Sequence, residues 1–223
     1  MVESKAWNWK IVKEDKEEYW KNPSVESYYL LNRWLSKGKK DILDLGCGLG
    51  RHTMLFAQNG FKMNAFDLSE NALERAKRWA EELELTNIEF KYGDMLNLPY
   101  EDNFFDGIMC INVISHTDTE GMKQIAYELK RVLRKDGEAY FTLGSKESWG
   151  FKQIHWPLVD ENTRIRKDDG PEDGIPHFYA DYELIKELFK EFEIESIRQV
   201  EDFHESDGQL YSSYHYHVLI KKV

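Results

Sequence analysis

The sequence lacks the long apolar runs that would place it in or across a membrane. No stretch approaches the ~18 consecutive apolar residues that a spanning helix needs. The first twenty residues, MVESKAWNWKIVKEDKEEYW, are charged throughout and contain no apolar core of a secretory signal. We therefore expect a cytoplasmic protein without a membrane partner.

Cysteine is scarce, and positive charge is in deficit. The two cysteines, Cys47 and Cys110, have no paired ligands near them, so we expect reduced structural thiols and no zinc site of the usual cysteine spacing. Lysine and arginine number 30 against 41 acidic residues, which gives a net charge of −11. Because nucleic-acid binding depends on basic side chains that neutralise phosphates, this balance argues against a nucleic-acid partner.

Phosphate-binding signatures are missing or incomplete around the glycine-rich stretch DILDLGCGLG at 41–50. The P-loop pattern G-x-x-x-x-G-K-[ST] is absent. Gly46 and Gly48 fit the dinucleotide fingerprint G-x-G-x-x-G, but Arg51 stands at its sixth position and the third glycine is displaced to Gly50. The residues leave two ligand classes open, a nicotinamide dinucleotide and an adenosyl ligand without phosphates.

Strand-like and helix-like segments alternate between 41 and 144. Strands are expected at 41–46, 61–67, 87–94, 104–115 and 137–145, with helices between them. Ser69 and Asp118 stand where two of these helices need an N-cap. This alternation predicts an α/β fold: a doubly wound, mostly parallel sheet with helices on both faces and ligands at the carboxyl ends of its strands.

The flanking segments suggest a single domain of four parts. Residues 1–38 form an N-terminal helical cap with a helix over 23–37 that Asn22 caps, and residues 39–145 form the cofactor-binding core. Residues 146–179 are rich in turn signals and read as an irregular, lid-like insertion. Residues 180–223 supply a helix and two strands that pair antiparallel.

Four motifs occur in order: DLGCGLGR at 44–51, FDLSENAL at 66–73, YGDMLNLPYEDNFFDGIMCINVISH at 92–116 and LKRVLRKDGEAYFTLGS at 129–145. With these motifs the chain resembles the class I S-adenosylmethionine-dependent methyltransferases of small-molecule type, over roughly residues 23–145 and again at 180–222. The resemblance implies a Rossmann-like, seven-stranded sheet whose last strand is antiparallel. It also implies S-adenosylmethionine as cofactor and methyl transfer to an oxygen, nitrogen or sulfur atom of a small molecule. The D/N-P-P-Y/F signature of amino-adenine methylases is absent, since NVISH stands there.

The resemblance also implies cofactor contacts by position. The glycine loop follows the methionine part, an acidic residue after the second strand binds the ribose, another after the third strand binds adenine, and two residues after the fourth strand approach the methionine amine. In that order these residues are Gly46, Cys47 and Gly48; Asp67 with Leu68; Asp94 with Met95; and Asn112 with Val113.

Two further residues near the loop have alternative roles. Asp44 contacts the cofactor indirectly or only supports the loop. Arg51 binds the cofactor carboxylate or only pairs with Asp44. Both are kept as candidate cofactor-binding residues.

The candidate catalytic residues are His116, His177 and Tyr29. His116 follows the fourth strand and is a general base or a neighbour of a helix cap. His177 belongs to an aromatic and histidine-rich lid or to the packing of the insertion, and Tyr29 to a helix that covers the site or only packs. The acidic stretch 167–174 lacks calcium-loop spacing and is interpreted as a solvated turn, so no metal site is expected.

The sequence thus predicts a methyltransferase with a small-molecule partner, as a monomer or homodimer. A nicotinamide-dependent oxidoreductase and a non-catalytic S-adenosylmethionine-binding protein stay open as alternatives.

Overall fold

The computed structural model describes residues 2–12, 17–206 and 208–223. A 3₁₀ turn at Trp9–Ile11 precedes six α-helices, which are α1 Glu17–Lys21, α2 Val25–Ser36, α3 Arg51–Gln58, α4 Glu70–Glu82, α5 Thr119–Val132 and α6 Tyr182–Leu188. The ten strands are β1 Asp41–Leu45, β2 Lys62–Asp67, β3 Ile88–Tyr92, β4 Phe105–Cys110, β5 Leu133–Ser145, β6 Leu158–Asp160, β7 Thr163–Ile165, β8 Pro176–Ala180, β9 Glu193–Ser206 and β10 Gln209–Lys221.

The central sheet has the strand order β3-β2-β1-β4-β5-β10-β9. The first five strands in this order are mutually parallel, and β10 runs antiparallel to both β5 and β9. The predicted α/β fold with a mostly parallel sheet and an antiparallel last strand is therefore confirmed. The order reverses between β1 and β4, and ligands of such sheets bind at this switch point.

The insertion adds strands that the sequence analysis did not predict. Strand β8 pairs in parallel with the end of β5, and β7 and β6 continue from it as antiparallel strands. The count of seven strands is therefore too low, and residues 146–179 are not irregular throughout. Strands of three residues, such as β6 and β7, are too short to show an apolar period among turn residues.

Both faces of the sheet are covered, as the continuous apolar run of β4 indicates. Along β4, Ile108 and Cys110 face a cluster that includes α5, and Met109 and Ile111 face a cluster that includes Trp34 of α2. Successive residues of a strand point to opposite faces, so a strand buried on both sides has no polar face.

Side-chain caps fix where two of the helices begin. Ser69 accepts a hydrogen bond from the Ala72 amide at 3.3 Å, and Asp118 accepts one from the Gly121 amide at 2.8 Å. Both predicted caps are confirmed. The Asn22 cap is wrong, since α2 begins later, after Ser24.

A buried carboxylate attaches α2 to the sheet. Glu138 of β5, with 1% of its side chain exposed, accepts hydrogen bonds from Arg33 at 2.8 Å and from the Trp34 indole at 2.9 Å, and it pairs with Lys37. Burial alone would raise its pKa, but these donors outweigh burial and lower the pKa to about 2. Glu138 is therefore ionised inside the protein and holds three side chains of the α2 region in place.

Among the described residues, no helix is both long and apolar enough to cross a lipid bilayer.

Candidate cofactor and acceptor site

The glycine loop turns sharply off the end of β1. The Gly46 and Cys47 amides both donate to the Phe66 carbonyl, at 2.7 and 3.1 Å. Gly46 has a φ of +74°, and a Cβ on it would lie 2.4 Å from Cγ1 of Val113. A side chain at Gly46 would therefore be strained and would clash with the segment after β4.

Asp67 joins the end of β2 to this loop. Its carboxylate accepts hydrogen bonds from the Gly48 amide and the Ser69 amide, both at 2.8 Å. Burial raises its pKa, and the backbone hydrogen bonds oppose that shift. Each carboxylate oxygen has a second lone pair, so Asp67 can also accept hydrogen bonds from a diol in the cavity.

Asp44 and Arg51 occupy different places. Asp44 is 2% exposed, lies behind the cavity wall and accepts a hydrogen bond from the Thr53 hydroxyl at 2.6 Å. Burial raises its pKa to about 6. Arg51 lines the cavity, with its guanidinium 5.8 Å from the centre of the Trp20 ring, and it donates to the Asn22 carbonyl. The geometry therefore favours the role in which Asp44 supports the glycine loop over indirect contact with the cofactor.

Two polar residues follow β3 and β4 at the same edge of the sheet. Asp94 uses Oδ1 to accept from the Leu96 amide at 2.9 Å, which leaves Oδ2 available. Asn112 has a φ of +62°, a left-handed conformation that asparagine adopts more readily than most residues other than glycine. The Thr142 hydroxyl holds it there, since it accepts from the Asn112 amide at 2.8 Å and donates to its side-chain carbonyl at 3.0 Å.

These segments surround a cavity of about 400 Å³, the size of a small-molecule site. The cavity lies at the carboxyl ends of β1, β2 and β4, where the strand order reverses. Ten predicted cofactor residues line it: Gly46, Cys47, Gly48, Arg51, Asp67, Leu68, Asp94, Met95, Asn112 and Val113. Asp44 is the predicted residue that the cavity wall excludes.

Three tryptophans from the N-terminal segment cover the glycine loop, and the sequence analysis missed them. Trp7 lies 4.2 Å from Trp9 and 5.1 Å from Trp20 between ring centroids. A Cβ on Gly48 would lie 2.6 Å from the Trp9 ring, so glycine is needed under it. The two tryptophans in AWNW are a detectable apolar signal in an otherwise charged segment.

The helix that was expected to cover the site packs elsewhere. Tyr29 on α2 is 55% exposed, and its hydroxyl accepts a hydrogen bond from Arg33 on the same helix. Leu30 and Trp34 bury the opposite side of α2 against the sheet. Tyr29 lies outside the cavity lining and is not retained as a catalytic candidate.

The other two catalytic candidates meet at one side of the cavity. The rings of His116 and His177 lie 4.9 Å apart between centroids. Glu172 lies between them, with Oε1 3.7 Å from Nε2 of His116 and Oε2 3.6 Å from Nε2 of His177. Glu172 belongs to the stretch interpreted as a solvated turn, and for this residue the interpretation is wrong because its side chain is 22% exposed and pairs with Arg166. Only the folded chain brings it to His116, so local spacing gave no signal.

Both cysteines are buried thiols. Burial raises the pKa of Cys47 and of Cys110, and the nearby Asp67 and Asp44 carboxylates raise both further. We expect neither thiol to react with Ellman's reagent at pH 8 in the folded protein, and both to react in denaturant, because the thiolate is the reactive form. Rapid labelling of native Cys47 would show instead that the glycine loop opens readily.

Comparisons with known proteins agree with this geometry. The family model described as a methyltransferase domain matches residues 42–137. The biotin biosynthesis bifunctional protein BioHC of Teredinibacter turnerae is 33% identical over 56% of this chain and 23% of its own length. A sterol 24-C-methyltransferase of Gibberella zeae, ERG6B, is 30% identical over 69% of this chain and 39% of its own length.

A solved structure shares the fold. The S-adenosylmethionine-dependent methyltransferase from Methanosarcina mazei has a TM-score of 0.68 at 20% identity, over 82% of this chain and 92% of that one. The chain spans well under two thirds of the length of the two curated relatives above. Residues 42–137 of the chain are thus similar to a methyltransferase domain, and the strand order is that of the Rossmann-like fold which the solved structure shares.

Proposed function

We propose that the protein transfers a methyl group from S-adenosylmethionine to a small-molecule acceptor. One observation carries this proposal: the glycine loop and the Asp67 carboxylate line the same cavity as His116, His177 and Glu172. The cavity thus combines a wall suited to an adenosyl ligand with a polar side suited to a second reactant.

The residues of the wall fit the cofactor. Asp67 has free lone pairs for the ribose hydroxyls, and Asp94 has a free oxygen for the adenine amine. When bound, the cofactor supplies an electrophilic methyl carbon: the acceptor lone pair forms the new bond to it, the carbon–sulfur bond electrons stay on sulfur, and the acceptor loses its proton. The chain contributes alignment and exclusion of water, for which the tryptophan cover over Gly48 is suited.

His116 is poorly suited to be the general base. Burial lowers its pKa to about 3, and the neighbouring His177 adds to this effect. An efficient general base has a pKa near the working pH. A group whose pKa lies far below neutrality is a weak base and accepts a proton poorly. We keep His116 and His177 as residues of the acceptor side in a different role.

The domain organisation, the partner, the cellular location and the oligomeric state form part of the same proposal. The N-terminal segment and the insertion cover the core at residues 39–145, and the partner is a small molecule rather than nucleic acid or a membrane. Charge of −11 and two unpaired cysteines support a cytoplasmic location, as a monomer or homodimer.

Titration calorimetry tests the cofactor directly. We expect S-adenosylmethionine and S-adenosylhomocysteine to bind with micromolar affinity and NAD not to bind. Incubation with methyl-labelled cofactor and a panel of small thiols, phenols and amines is then expected to give a labelled product. Binding of NAD alone would contradict the proposal, and adenosyl binding without turnover across the panel would indicate a non-catalytic binding protein.

A further inference from the structure

The three side chains at the acceptor side form a set of metal ligands. One ligand atom from each of His116, Glu172 and His177 lies within 4.8 Å of the others. Both histidines direct Nε2 at Glu172, at 3.7 and 3.6 Å. These distances are longer than those of ordinary hydrogen bonds. Ligand atoms of a tetrahedral zinc ion lie about 3.4 Å apart, close to these separations.

A backbone contact orients the His177 ring. Nδ1 of His177 donates to the Ile175 carbonyl at 3.1 Å, which leaves Nε2 as the ring nitrogen that can face a metal ion. Ligating histidines in proteins usually have this second hydrogen bond.

The fold brings the ligands together from separate elements. His116 follows β4, and its amide donates to the Val113 carbonyl at 2.8 Å. The Phe178 amide of β8 donates to the Ser115 carbonyl at 2.8 Å, which places His177 beside His116. These hydrogen bonds fix the turn that carries His116 to strand β8, which carries His177.

The loop that carries Glu172 is also fixed. The Gly174 amide donates to the Arg166 carbonyl at 2.8 Å, and the Pro171 carbonyl accepts from the Asn8 amide at 2.9 Å. This loop is therefore attached both to β7 and to the N-terminal segment.

The Arg166 guanidinium is a nearby cation that contacts the third ligand, Glu172. It pairs with Oε2 of Glu172 and with Asp168, which leaves Oε1 directed at His116. The carboxylates of Glu172 and Asp168 outnumber the single guanidinium with which they pair. Carboxylates that bind metals are themselves commonly hydrogen-bonded, and Arg166 is suited to orient Glu172.

We propose that His116, His177 and Glu172 bind a divalent zinc-type ion that positions the methyl acceptor. Two imidazoles and one carboxylate suit zinc and its first-row neighbours rather than magnesium or calcium, which prefer oxygen ligands. Three protein ligands leave a position open for a hydroxyl or thiol acceptor. A bound ion would supply Lewis acidity that lowers the pKa of the acceptor hydroxyl or thiol, and the proton of that group would pass to solvent as its lone pair attacks the methyl carbon. This role, though not the ion site itself, rests on the proposed methyltransferase function.

Zinc binding to the full chain, freed of metal with a chelator, tests the site. Competition with a chromophoric zinc indicator is expected to show one equivalent bound at micromolar affinity or tighter. Glu172→Gln, which preserves the side-chain shape, and His177→Ala are each expected to weaken binding at least about 100-fold. His155→Ala is the matched control, since His155 is exposed in the same insertion and is expected to leave zinc affinity unchanged.

Each outcome decides one of the two proposals. Wild-type protein that binds no zinc equivalent, or variants that bind like wild type while folded by circular dichroism, would overturn the metal site. S-adenosylhomocysteine is titrated into the metal-free and zinc-loaded proteins in parallel. If S-adenosylhomocysteine binds but zinc does not, the metal site is excluded and the methyltransferase proposal stands. If zinc binds but S-adenosylhomocysteine does not, the methyltransferase proposal is excluded and the metal site stands.

Discussion

Asp67→Ala is expected to weaken S-adenosylhomocysteine binding by at least about 100-fold, which corresponds to about 2.7 kcal/mol. The substitution removes the acceptor of two backbone amides, from Gly48 and Ser69, together with the lone pairs available to the ribose. A hydrogen bond to a charged group contributes about 1.5–3 kcal/mol, so two or three lost bonds account for the effect. Titration calorimetry of the wild-type and variant proteins measures it.

Two further variants test whether the loss of affinity comes from the lost contact of Asp67 with the cofactor or only from a change in side-chain shape or in the charge of the protein. Asp67→Asn keeps the side-chain shape but directs an amide NH₂ group at one of the two backbone donors. We therefore expect an affinity for S-adenosylhomocysteine between those of wild type and Asp67→Ala. Glu101→Ala removes one exposed negative charge on the loop between β3 and β4 and is expected to leave affinity unchanged. If folded Asp67→Ala protein bound S-adenosylhomocysteine as tightly as wild type, the ribose role of Asp67 would be excluded.

Glu138→Gln is expected to lower the free energy of unfolding by about 3–5 kcal/mol. The variant keeps the side-chain volume but leaves the Arg33 and Lys37 charges without their buried partner. For a chain of this size, that loss lowers Tm by about 10 °C. Urea unfolding followed by circular dichroism measures it. Glu193→Gln is the matched control, because Glu193 pairs with Lys221 at the surface and such pairs contribute about 0–1 kcal/mol.

The pH dependence of this difference has a defined sign. The folded pKa of Glu138 is about 2 and its ordinary value is 4.5, so the stabilisation is complete above pH 4.5 and is lost as pH falls toward 2. We expect the stability gap between wild type and Glu138→Gln to be constant near neutrality and to narrow below pH 4.5. A gap that widened in acid would show that Glu138 is not ionised in the folded protein.

The parts of the molecule that the sequence predicted are those with local physical signals. The continuous apolar run of β4 indicates a strand covered on both faces, and Ser69 and Asp118 cap helices through neighbouring amides. The glycine loop is likewise local, since its glycines directly follow the short apolar run of β1. Patterns within about ten residues suffice for such features.

The features that sequence analysis missed depend on contacts between distant parts of the chain. Glu172 in its acidic stretch is indistinguishable from a solvated residue until β8 brings it beside His116. Trp9 covers Gly48 from the N-terminal segment, and Tyr29 was a candidate because the helix before the core covers the site in similar proteins. In each case the sequence shows which residue is present but not which distant residue it contacts in the folded chain.

The tryptophans around the cavity also provide an intrinsic fluorescence signal for it. Five of the seven tryptophans line the cavity, namely Trp7, Trp9, Trp20, Trp149 and Trp156. Trp34 is fully buried in the sheet core and Trp79 lies on α4, so both contribute a constant background. The intrinsic fluorescence of the unlabelled chain therefore reports events in the cavity, and occupancy can be followed in real time without attaching a dye.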